Sequence, residues 1–139
     1  MIGIVIVAHG GLAREFLAAV EHVVGRQAGV RAVSIEPECN RAMKQAEICA
    51  AADAVDEGQG VILATDMFGG SPSNLSLRAS AAENRRIVYG ANLPLLIKLA
   101  KSRHLPIGEA VNSGLMAGRK YLDTMSTREP DLKIASGQH

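Results

Sequence analysis

The sequence predicts an α/β fold: an open parallel sheet of strand order 2-1-3-4 with helices on both faces. Three observations carry this. Short apolar, largely β-branched runs alternate four times with segments whose apolar residues recur at helical spacing. The two strongest runs, Ile4-Val5-Ile6-Val7-Ala8 and Val61-Ile62-Leu63-Ala64-Thr65, are almost free of polar residues, as strands covered on both faces are. Each then passes into a glycine-rich turn, the usual start of a right-handed crossover.

Taken in order, residues 2–8 read as the first strand. After His9-Gly10-Gly11, Leu12, Phe16, Ala19, Val20 and Val23 repeat at helical spacing to about residue 24. Gly25 and Gly29 punctuate the return to a second strand, residues 30–35. Pro37 breaks that strand, and Asn40 is placed to cap a helix reaching about residue 56. Gly58 and Gly60 close it. Residues 61–65 form the third strand, and residues 73–82, rich in small side chains, read as a helix. Residues 86–89 are a short fourth strand. Asn92 and Pro94 open a helix over residues 95–101. Pro106 begins another that reaches about residue 125. Pro130 precedes Leu132-Lys133-Ile134-Ala135, a short candidate strand.

The 139 residues fit one domain, 1–139, with about 126–139 as a C-terminal extension. Aromatic residues are only 3% and Trp is absent, so the core must be aliphatic. A formal charge of +1 gives no broad electrostatic case for nucleic acid or an anionic membrane. Cys39 and Cys49 match neither a zinc pattern nor a redox pair, and Cys49 lies in an alanine-rich run where a thiol packs as a small apolar group. Free thiols of this kind suit a reducing compartment, and no apolar run reaches the roughly 18 residues of a membrane span. The expectation is a cytoplasmic protein without leader or membrane insertion.

Chemistry is expected where the first and third strands end. In an open α/β sheet, ligands bind beyond the carboxyl ends of the strands, where successive crossovers leave toward opposite faces. Order 2-1-3-4 makes strands one and three neighbours, about 4.8 Å apart. His9 ends one and Asp66 the other. A carboxylate there can accept a hydrogen bond from one imidazole nitrogen and leave the other as a nucleophile. It also stabilises the ring once that ring carries a phosphoryl group. Gly69 and Gly70 permit close backbone approach, the Ser71 hydroxyl adds a donor, and two helices begin at the crevice. This set suits phosphoryl transfer, which needs mainly positioning and charge stabilisation.

Each residue also has a plainer reading. A histidine at a strand end is often a surface or capping residue, Asp before a glycine turn is usually turn chemistry, and Gly-Gly-Ser-Pro is a common loop. Only their combination at matching strand ends points to a site. His22, His104 and His139 are read as solvated, and Asn92 as a helix cap near the same edge. The chain has no G-x-x-x-x-G-K-[ST] loop, no G-x-G-x-x-G fingerprint and no metal-spaced ligand cluster. No metal or cofactor is expected. A receiver-type phosphoaspartate at Asp66 would need an acidic pair after the first strand, where His9-Gly10-Gly11 stands instead. A serine hydrolase using Ser71, His9 and Asp66 has the right residue types, but Ser71 lacks a G-x-S-x-G elbow and Pro72 follows it.

Three segments together resemble a known family: the strand ending His9-Gly10; Asp66-Met67-Phe68-Gly69-Gly70-Ser71-Pro72; and Gly90-Ala91-Asn92-Leu93-Pro94-Leu95-Leu96. From residue 1 to about 125 the chain is similar to the enzyme IIA component of mannose-family (mannose/fructose/sorbose) sugar phosphotransferase systems. The resemblance implies that His9 accepts a phosphoryl group from the phosphohistidine of HPr and passes it to an enzyme IIB component. It implies that Asp66 orients His9, and that Ser71 and nearby amides hold the phosphoryl oxygens. It also implies a homodimer in which a C-terminal strand, here residues 132–135, joins the partner's sheet. Many members run on into a fused IIB domain; the sequence ends at His139, so any IIB partner is expected to be separate or absent. Two roles fit the same site: a phosphocarrier for sugar uptake, or a stand-alone regulator whose phosphorylation state controls binding to other proteins.

Overall fold

A computed structural model describes residues 1–67 and 69–126. The elements follow in the order β1 (Gly3–His9), α1 (Leu12–Val24), β2 (Val30–Ile35), α2 (Arg41–Val55), β3 (Val61–Thr65), α3 (Ser71–Ser76), β4 (Arg85–Val88), α4 (Leu93–Lys101) and α5 (Ile107–Lys120). The four strands form one parallel sheet in the order β2-β1-β3-β4, as the sequence predicts.

Alternation along β1 divides the core in two. Ile2, Ile4, Ile6 and Ala8, with Ile62 and Ala64 of β3, pack against Val20, Leu96, Leu99 and Ile107 of α1, α4 and α5. Val5, Val7, Val61 and Leu63 face Ile48, Ala52, Val55 and Leu75 of α2 and α3. Each fully buried Ile or Leu stabilises the fold by about 1.5–3 kcal/mol. Both central strands are buried on both faces, which is why they read as continuous apolar runs. The helix after β1 covers one face and the helix after β3 the other. That divergence opens the crevice between the carboxyl ends of β1 and β3.

Two helices are shorter than the sequence suggests. The one expected over residues 73–82 occupies Ser71–Ser76. Its end is tightened by the Leu77 amide bonding the Asn74 carbonyl. The Ser76 and Ser80 hydroxyls then bond back to the carbonyls of Pro72 (2.6 Å) and Leu77 (2.8 Å). Serines that satisfy backbone groups in this way favour turns over further helix. The last helix, expected to about residue 125, stops at Lys120. Residues 121–126 are all exposed, so no core contact holds another turn, and Asp123 Oδ1 accepts the Thr124 amide at 2.7 Å. Asn40 and Asn92 cap as expected: their Oδ1 atoms accept the Met43 and Leu95 amides at 3.0 Å. The expected strand at residues 132–135 lies outside the described residues.

Candidate functional site

The sheet register sets the geometry of the crevice. Val7 of β1 pairs with Thr65 of β3, so His9 and Asp66 both emerge just past the last paired residues. Asp66 Oδ2 lies 2.8 Å from His9 Nδ1 and accepts the His9 backbone amide at 3.1 Å. A carboxylate only accepts, so Nδ1 is the donor, and in the neutral ring Nε2 carries the lone pair. Nε2 has no hydrogen-bond partner among the described residues. The His9 side chain is 50% exposed while that of Asp66 is 12% exposed. The carboxylate is thus sheltered and the ring reachable.

The bond from the His9 amide is a second anchor that the sequence does not disclose. It ties the carboxylate to the backbone of β1 as well as to the ring, so neither group swings independently. Asp66 Oδ1 and Thr65 Oγ1 are buried without hydrogen-bond partners among the described residues.

After β3, Gly70 lies close against the ring. Gly69 has φ +81°, a left-handed conformation that glycine adopts without strain. Gly70 caps α3 in extended conformation, and a Cβ there would sit 3.3 Å from His9 Cε1 and 3.7 Å from Nε2. A side chain at position 70 would therefore press on the ring. Ser71 and His9 line one pocket of about 410 Å³, shared with Glu36, Pro37, Cys39 and Arg41 from the loop after β2 and the start of α2. No hydrogen bond joins Ser71 to His9, so the nucleophile–base pair of a serine hydrolase is not formed.

Comparison with known proteins agrees with the fold. Residues 3–113 match the family described as PTS system fructose IIA component, of the EIIA-man type. The chain belongs to the mannose-family IIA components of the sugar phosphotransferase system. It is 30% identical over 130 residues to the PTS system mannose-specific EIIAB component of Escherichia coli K12, covering 91% of this chain. It spans only 40% of that relative's length. The mannose/sorbose-specific IIA subunit of Enterococcus faecalis superposes with a TM-score of 0.82 at 26% identity, over 92% of this chain and 97% of the other. The PTS IIA protein associated with the fucose utilization operon of Streptococcus pneumoniae superposes with a TM-score of 0.75 at 31% identity, over 87% and 91%.

In this IIA component the structure brings together His9, Asp66, Gly70 and Ser71, with Gly69 forming the turn. His22, in the last turn of α1, and His104, in the connection before α5, are both exposed; His139 lies outside the described residues. Asn92 also donates from Nδ2 to the Gly118 carbonyl at 2.9 Å, fastening α4 to α5. Both cysteines are free and half-buried; Cys49 packs against the α2–α3 core, as its alanine-rich surroundings suggest. Glu36, Cys39 and Arg41 of the IIA pocket were not anticipated. Their signal was available: β2 ends beside His9, which pairs with Ile35, so the loop after it must border the same crevice. Among the described residues, no helix is long and apolar enough to cross a membrane, and no group of three or more His, Cys, Asp or Glu side chains is placed to hold a metal.

Proposed function

We propose that this IIA component is a phosphocarrier in which His9 Nε2 accepts the phosphoryl group. The observation that carries this reading is the 2.8 Å bond from His9 Nδ1 to Asp66, which commits one ring nitrogen and leaves the other with its lone pair. The donor is phospho-HPr and the acceptor an enzyme IIB component, in the cytoplasm, with sugar uptake as the output. Nε2 attacks phosphorus, the P–N bond to the donor's imidazole breaks, and that imidazole leaves with the electron pair. The His9 ring gains a positive charge, which faces the Asp66 side chain at Nδ1. Because the ring is held by Asp66 and half exposed, transfer requires no reorientation of the imidazole. The Ser71 hydroxyl and the amides of Gly69 and Gly70 border the space where the phosphoryl oxygens would lie.

Incubation with phospho-HPr should add one phosphoryl group per chain, labile to acid and stable to base, by intact-mass measurement. His9→Ala should abolish the gain while leaving the melting temperature nearly unchanged, since the side chain is half exposed. Label that persists in His9→Ala would sink the assignment. Transfer onward to a IIB protein separates the uptake role from a purely regulatory one.

A further inference from the structure

The pocket beside His9 holds two charged side chains besides the His9–Asp66 pair, and their situations differ. Glu36 is engaged: its carboxylate lies 3.4 Å from Lys44 Nζ, which also meets Glu47 at 2.8 Å. A backbone hydrogen bond, then Lys44, with Arg14 adding to the field, holds its carboxyl below the ordinary range. Arg41 lines the same pocket and has no hydrogen bond or ion pair among the described residues. Its backbone is nevertheless fixed. It is the first residue of α2, and Asn40 caps that helix through the Met43 amide at 3.0 Å.

The two walls of the pocket therefore differ in chemistry. The β3 side offers Ser71, which is neutral. The β2 side offers one guanidinium with no carboxylate to satisfy it. A phosphoryl group on His9 would bring a charge of about −1.5 to −2 into this space. Guanidinium is the side chain whose planar donor fork matches phosphoryl oxygens, with bonds roughly twice as strong as neutral ones.

We propose that Arg41 is a phosphoryl-binding residue of this site, closing on the phosphoryl group of His9 from the β2 side while Ser71 borders it from the β3 side. The inference rests on His9 being the acceptor. It adds a charged contact that would form only when the phosphoryl group is present, so it favours the transfer step over the resting state.

Phosphoramidate tests this without any protein partner. It phosphorylates imidazole with cleavage of its own P–N bond and release of ammonia, so a role of Arg41 in docking another protein contributes nothing. The rate of mass gain and the ³¹P resonance of phospho-His9 are compared for wild type, Arg41→Lys, Arg41→Ala and Arg41→Gln, with Arg26→Ala as a distant surface control. Arg41→Ala and Arg41→Gln should slow phosphorylation about tenfold or more, the loss of one hydrogen bond to a charged group. Both should shift the ³¹P line. Arg41→Lys should fall between, and Arg26→Ala should match wild type. Unchanged rate and unchanged ³¹P line in folded Arg41→Ala or Arg41→Gln would overturn the inference while leaving His9 as acceptor. Mass gain that survives His9→Ala would instead overturn the reading on which it rests.

Discussion

The two ends of the sheet handle charge in opposite ways. At the amino ends of the strands, Arg103 is only 4% exposed and bonded through each of its three side-chain nitrogens. It donates to the Ile2 carbonyl at 2.7 Å, the Gly29 carbonyl at 3.2 Å and Gln27 Oε1 at 3.4 Å. Arg85 meets Asp53 at 2.8 Å and Asp56 at 3.0 Å and donates to the Ala79 carbonyl at 2.9 Å. At the carboxyl ends, His9 Nε2 and Arg41 are left with open donor or acceptor capacity around a pocket. The comparison separates structure from chemistry. Cations that close the fold have fixed partners within the chain, whereas the groups proposed to handle the phosphoryl group keep capacity in reserve.

The sharpest way to break this contrast is at Asp66. Asp66→Asn keeps the shape but can present its amide nitrogen to Nδ1, favouring the wrong tautomer. Phosphoryl transfer should fall about a thousandfold, with little loss of stability. Equal rates would mean that Asp66 does not set the ring's proton. Arg103→Ala should do the reverse. Two carbonyls lose their donor and a buried side chain is removed, so unfolding in urea should show a loss of about 3 kcal/mol, with the transfer rate per folded molecule unchanged. A rate loss in the folded fraction would show that the two ends are coupled.

Gly70→Ala probes the fit around the ring. The added methyl would meet Cε1 at 3.3 Å, so the ring must yield by a few tenths of an ångström. Transfer should slow about tenfold, since small misplacements at a reacting atom are costly. The smallest effect is expected from pH at the amino end. The Gly58 amide at 2.9 Å and then Arg85 hold Asp56 below its ordinary value of 3.8. Its contribution to stability is complete above that ordinary value and is lost as pH falls through the lower folded one. Asp56→Asn should therefore lower stability slightly at neutral pH and flatten the acid limb below about pH 4, so that variant and wild type converge in acid. An unaltered acid limb would exclude the ion pair as its source.

Much of this arrangement is legible in the sequence because the central strands are simple. Ile4 to Ala8 and Val61 to Thr65 are buried on both faces, so their apolar runs mark both the strands and the points where they end. Those end points are His9 and Asp66, and strand order then makes them neighbours. What was harder to read lies in connections. The end of α3 depends on Ser76 and Ser80 bonding backbone carbonyls, a local competition that composition does not rank. Arg41 follows an obvious cap, and its place in the pocket depends on the path from Ile35 to Asn40, which no periodicity encodes. The double anchorage of Asp66 required the position of the His9 amide.

The central claim is that Asp66 holds Nδ1 and leaves Nε2 to take the phosphoryl group. With ¹⁵N-labelled histidine, the one-bond ³¹P–¹⁵N coupling in the phosphorylated protein identifies the nitrogen directly. The account predicts coupling to His9 Nε2, with Nδ1 still protonated toward Asp66. Coupling to Nδ1 would contradict it, because that nitrogen could not carry phosphorus and keep its bond to the carboxylate.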